Sequence, residues 1–80
     1  MTKHKFEKEL KDAIRFAMSD GWDDAHKIVQ KHEDDDVACW IHAILHKIEG
    51  DADNAKYWYR RSGRPWSAED PKVELKRIFG

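Results

Sequence analysis

Residues 36–63, DVACWIHAILHKIEGDADNAKYWYRRSG, decide the fold of this 80-residue chain because they carry two helical patterns separated by a glycine turn. Apolar residues recur at the 3.6-residue period of a helix, which predicts a helix over 36–49. Its apolar face holds Val37, Ile41, Ile44, Leu45 and Ile48. Gly50 suits the left-handed conformation that ends a helix, and Asp51 suits an N-cap, which predicts a helix over 52–62. The segment therefore predicts an antiparallel helix hairpin.

The residues before this hairpin follow the same plan. Apolar periodicity predicts helices over 3–18 and 22–33, and we expect Gly21 to end the first of them in a left-handed conformation. The acidic run 33–36 predicts a loop whose last aspartate caps the following helix. A first hairpin is therefore expected to precede the second.

Together these patterns predict one all-α domain of two stacked antiparallel hairpins, over 3–33 and 36–62. Asp70 and Pro71, as N-cap and first helical residue, predict a short terminal helix over 71–79. The second hairpin resembles a tetratricopeptide repeat at Ala43, Gly50, Ala55, Tyr59 and Ser62. The first hairpin matches that pattern less well, so we predict the architecture of such repeats and not membership of the family.

Composition narrows the functional classes. Charged residues make up 39% of the chain, yet the formal net charge is -1, so a uniformly basic nucleic-acid binder is not expected. The chain has no apolar run long enough for a membrane span. The single cysteine, Cys39, cannot form an intramolecular disulfide, which favours a reducing, cytoplasmic location. Short helical repeats often need a neighbour to cover an apolar face, which favours a homodimer.

Two histidines on the third predicted helix form the first candidate site. His42 and His46 are four residues apart, so their rings share a face, and Glu49 lies in the same sector. This spacing can hold zinc or nickel, although we expect no cofactor. The first interpretation is that both rings pack against helix four, with their nitrogens hydrogen-bonded there; the alternatives are a metal site and direct contact with a ligand. The other histidines, His4, His26 and His32, are expected at scattered surface or interface positions.

The fourth predicted helix and the loop after it form the second candidate site, where aromatic and arginine side chains alternate and no acid occurs from 54 to 66. Its candidate binding residues are Asn54, Tyr57, Trp58, Arg60, Arg61 and Arg64, with Trp66 beside them. Arginine can bind a carboxylate or phosphate through two parallel hydrogen bonds, and aromatic rings add stacked contact area. We therefore predict an interaction module, rather than an enzyme, that recognises a protein or a small acidic ligand.

Two other interpretations of these residues remain open. The aromatic rings can fill a small core while the arginines pair with nearby acids. The chain can also be a ligand- or metal-dependent enzyme whose site is His42, His46 and Glu49, assisted from helix four. Alanine follows His42, so the glutamate that a zinc metalloprotease motif requires is missing.

About half of the chain, residues 36–66, resembles the signature W-H-A-x-x-H-R-x-E-x-D-x-x-N-A-x-Y-W-x-R-R-x-G of a family of small proteins with no established activity. Two differences are visible: Ile41 separates the tryptophan from the first histidine, and Lys47 replaces the arginine. The resemblance implies a functional surface on the second hairpin without naming the function.

Overall fold

The computed structural model describes residues 4–80, and within that range the chain forms five helices and no strand. The helices are α1 (Glu7–Met18), α2 (Trp22–Gln30), α3 (Asp36–Ile48), α4 (Ala52–Ser62) and α5 (Pro71–Arg77). The all-α prediction is confirmed, and α4 has the predicted bounds. The other helices are one to four residues shorter than predicted. The predicted start at residue 3 lies outside the described residues.

Helix α3 is the centre of the fold. Helices α1 and α2 pack as one hairpin and α3 and α4 as a second, while α2 packs against α3 and α5 packs against both α1 and α3. The main core consists of Leu10, Ala13, Ala17, Ala25, Val29, Ala38, Ile41, Ile44, Leu45 and Leu75. Because α3 has neighbours on several sides, every residue from 41 to 46 is buried, including both of its histidines. None of the described helices is long and apolar enough to cross a bilayer.

The turn between α1 and α2 differs from the prediction. Asp20, rather than Gly21, takes the left-handed conformation, with φ of 66°. Gly21 has φ of -91°, and its backbone nitrogen donates to the carbonyl oxygen of Phe16 over 2.7 Å. A Cβ at Gly21 would lie 3.1 Å from that oxygen. Glycine therefore favours the close approach of the chain here, whereas Gly50, with φ of 85°, has the predicted left-handed conformation.

Aspartates cap three of the helices. Asp35, rather than the predicted Asp36, accepts the backbone N–H of Ala38 over 2.8 Å at the start of α3. An N-cap has non-helical backbone angles, and Asp35 is extended whereas Asp36 is already helical. Asp51 and Asp70 cap α4 and α5 as predicted.

Candidate functional site

Three histidine rings from two helices lie close together. His26 of α2 and His42 and His46 of α3, the histidine cluster, each offer a ring nitrogen, and these nitrogens all lie within 4.8 Å of one another. The Nε2 atoms of His26 and His42 are 3.0 Å apart. The rings of His42 and His46 are stacked with centroids 5.0 Å apart, and the ring of His26 stands edge-on to both. The structure therefore brings His42 and His46 together and adds His26, which was expected at a separate surface or interface position.

Two tryptophans stack on rings of the histidine cluster, one on His26 and the other on His42. The indole of Trp22 stacks on His26 with centroids 4.5 Å apart, and its Nε1 donates to the carbonyl oxygen of Leu45 over 2.7 Å. On the other side, the indole of Trp58 from α4 stacks on His42 with centroids 3.8 Å apart. Side chains of three helices therefore restrict how these rings can rotate.

The rings of His26 and His42 are neutral at pH 7. Burial is the largest cause that lowers the pKa of His42, to about 3, and the neighbouring His26 and His46 lower it further. Burial and His46 also lower the pKa of His26. Nδ1 of His42 is buried without a hydrogen-bond partner among the described residues, so Nε2 is the nitrogen through which this ring interacts with the cluster.

Carboxylate groups also lie near the histidine cluster. Glu49 Oε1 lies 2.6 Å from Nδ1 of His46, which leaves Nε2 of that ring for the cluster. Glu49 also acts on His26, where it opposes the lowering of the pKa, as do Asp23 and Glu33. Negative charge therefore lies beside His26 and His46, an arrangement that suits a cation. The structure places Glu49 beside the histidines, as its position in their sector predicted.

The predicted arginine and aromatic surface is divided between two sides of the molecule. On the side of the histidine cluster, the guanidinium carbon of Arg61 lies 5.2 Å from the ring centroid of Trp58. Arg61 donates to the hydroxyl of Tyr57 over 3.3 Å and to the carbonyl oxygen of Glu33 over 3.0 Å. The bond to Glu33 joins α4 to the turn between α2 and α3. Arg61 is therefore already engaged within the chain.

The remaining predicted residues lie elsewhere. The guanidinium carbon of Arg64 is 4.1 Å from the ring centroid of Trp40, away from Trp58. The side-chain amide of Asn54 donates to Asp51 over 2.6 Å and so belongs to the start of α4. Arg60 is exposed. The structure therefore does not bring the three arginines together.

A buried polar network lies beside Arg64, and local sequence patterns did not reveal it. Glu74 is only 2% exposed and accepts hydrogen bonds from Trp40 Nε1 (2.8 Å), the Tyr59 hydroxyl (2.7 Å) and Lys47 Nζ (2.7 Å). Burial raises the pKa of Glu74, but these hydrogen bonds outweigh it and the pKa lies below its ordinary value. Burial and the bond to Glu74 raise the pKa of Tyr59. Lys47, the one lysine of α3, was the available signal.

Comparisons of the chain with protein-family models, with curated proteins and with solved structures find no match. The family resemblance of residues 36–66 stays a prediction.

Proposed function

We propose that this protein binds a divalent transition-metal ion through the histidine cluster. The observation that carries the proposal is the convergence of three ring nitrogens, from His26, His42 and His46, within 4.8 Å. Imidazole is a preferred ligand of zinc, nickel, copper and iron. Three protein ligands are also the usual number in zinc sites that keep a fourth position for water or a small ligand.

The spacing of the rings supports this proposal. A metal about 2.0–2.1 Å from each imidazole nitrogen holds two tetrahedral ligands about 3.3 Å apart. The Nε2 atoms of His26 and His42 are 3.0 Å apart, close to this separation, and the His46 ring nitrogen lies within 4.8 Å of both. The hydrogen bond between Glu49 and His46 is the kind of outer contact that orients a ligating imidazole.

The packing interpretation required the ring nitrogens of the α3 histidines to find partners on α4. Helix α4 instead presents the face of Trp58 to His42, with the planes 13° apart. Nε2 of His42 faces His26, and Nδ1 of His46 faces Glu49. Stacking on Trp58 fixes the His42 ring and leaves its Nε2 directed at His26 rather than at α4. This arrangement supports the histidines as ligands of one metal ion.

Isothermal titration of the tag-free protein with Zn²⁺ and Ni²⁺ tests the proposal. We expect one ion per chain, and an affinity that falls at least about tenfold in His26→Gln, because one of three ligands is lost. His26 is the half-buried member, so its substitution disturbs the core least. His32→Gln is the matched control, since His32 pairs with Glu9 and does not belong to the histidine cluster. Equal affinity in the two variants, or no binding to the wild type, would overturn the proposal.

A further inference from the structure

A cleft of about 270 Å³ lies on the side of the molecule where Arg64 packs. Its walls include Trp40 from α3, Pro65 from the segment before α5, and Arg77 from α5. The buried network lies at its base, because Tyr59 and Glu74 also line it. The bond from Trp40 Nε1 to Glu74 fixes the plane of the indole that forms one wall. The cleft is therefore a shaped space built on ordered side chains.

The charges around this cleft leave one cation without a carboxylate partner. Lys47 pairs with Glu74, and Arg77 pairs with Glu69. Arg64 takes part in none of the ion pairs formed by residues 4–80. Buried cations are normally paired, so a half-buried guanidinium without a carboxylate is a position that favours an anion.

Arg64 is also held in a defined orientation. Its guanidinium carbon lies 4.1 Å from the ring centroid of Trp40, and Nη1 donates to the carbonyl oxygen of Ser62 over 3.0 Å. A guanidinium has five N–H donors, so this bond leaves the others for a ligand. The second guanidinium, of Arg77, lies 6.0 Å from the same indole centroid. Two planar cations therefore border one small cleft.

We propose that the cleft between Trp40, Arg64 and Arg77 binds the anionic group of a small ligand, a carboxylate or a phosphate. Arg64 donates to the anion, and the indole of Trp40 orients the Arg64 guanidinium. Arg77, which is already paired with Glu69, forms another wall of the cleft. The volume of about 270 Å³ limits the ligand to a small molecule or a single terminal group. This site is separate from the histidine cluster and does not depend on a metal.

Two titrations of the full-length protein, followed by ¹H–¹⁵N NMR, test this proposal. Inorganic phosphate is added in one and acetate in the other, with chloride keeping the ionic strength constant and a chelator removing metals. We expect saturable shifts of the Trp40 indole N–H and of the backbone amides around Arg64 with at least one anion. Saturation with phosphate alone identifies a phosphate site, and saturation with acetate alone identifies a carboxylate site.

Matched variants separate specific binding from general charge. Arg64→Gln should weaken binding at least about tenfold, because it removes charge-assisted hydrogen bonds. Arg60→Gln makes the same charge change at an exposed position of α4 and should leave the affinity unchanged. Arg64→Lys, which keeps the charge but not the planar group, replaces Arg64→Gln if circular dichroism shows that the latter is unfolded, and should also weaken binding. Equal affinity in the wild type and the Arg64 variant, equal losses at Arg60 and Arg64, or no saturable shift with either anion would contradict the proposal.

Discussion

The imidazole of His42 lies flat against the indole of Trp58, with centroids 3.8 Å apart and planes inclined by 13°. His42 is on α3 and Trp58 on α4, so this contact joins the second hairpin to the histidine cluster. A ring held on one face in this way keeps Nε2 directed at His26, 3.0 Å away. The aromatic residue that the sequence suggested for recognition therefore acts as a support for the histidines.

Replacing Trp58 with alanine should therefore weaken metal binding as well as stability. We expect a loss of about 1–3 kcal/mol in the free energy of unfolding, because a half-buried aromatic ring and its stacking are removed. The zinc affinity should fall too, since His42 gains rotational freedom. Urea unfolding and isothermal titration measure the two effects. Trp66→Ala removes an indole that contacts Tyr59 and none of the histidines in residues 4–80, and it should leave the zinc affinity unchanged; an equal loss there would argue against the stacking role.

Glu49 should act on metal affinity through His46. Glu49→Gln should lower the zinc affinity about 10–100-fold, because the carboxylate orients the ring through Nδ1. Asp53→Asn is the control, since it makes the same charge change at an exposed position of α4. Titration calorimetry compares the two variants. If both lower the affinity equally, general charge and not orientation is responsible.

Removing only one partner of the ion pair between Lys47 and Glu74 should destabilise the fold. Lys47→Met leaves a buried carboxylate without its cation, and we expect a loss of about 3–5 kcal/mol in the free energy of unfolding. The double variant Lys47→Met/Glu74→Leu should recover part of this loss, because no unpaired charge stays buried. Urea denaturation of both variants provides the measurement. A double variant less stable than Lys47→Met would contradict this interpretation.

Glu74 should also contribute to acid unfolding. Its pKa lies below the ordinary value of 4.5 in the fold, so at acid pH the unfolded chain binds the proton more readily. The stabilisation by its carboxylate is then complete above pH 4.5 and is lost as the pH falls through the folded pKa below that value. The difference in free energy of unfolding between the wild type and Glu74→Gln should shrink on acidification from pH 7. A difference that stays constant or grows below pH 4.5 would show that the folded pKa is not lowered.

Local sequence rules predicted most of the fold. Periodicity identified the helices, and Asp51, Asp70 and Gly50 have the expected capping or left-handed roles. The wrong details are helix bounds and single positions, such as Asp35 in place of Asp36 as the cap of α3. Neighbouring aspartates have the same capping ability, so only the backbone geometry decides between them.

The candidate sites were less predictable because they depend on tertiary contacts. Helical spacing was sufficient to place His42 and His46 on one face. The addition of His26 depends on how α2 rotates against α3, which local patterns do not specify. Similarly, Arg61 and Arg64 are close in sequence, but Gly63 ends α4 with φ of 76° between them. Arg61 therefore lies over Trp58, whereas Arg64 lies over Trp40.

The central claim is that the histidine cluster is a metal site, and crystals of the tag-free protein grown with Zn²⁺ test it most directly. Anomalous diffraction at the zinc absorption edge locates the ion without assumptions about its ligands. We predict one peak about 2.0–2.1 Å from Nε2 of His26, His42 and His46. No peak at the cluster, or a peak only at the separate group formed by His4, Asp35 and Asp36, would contradict the account.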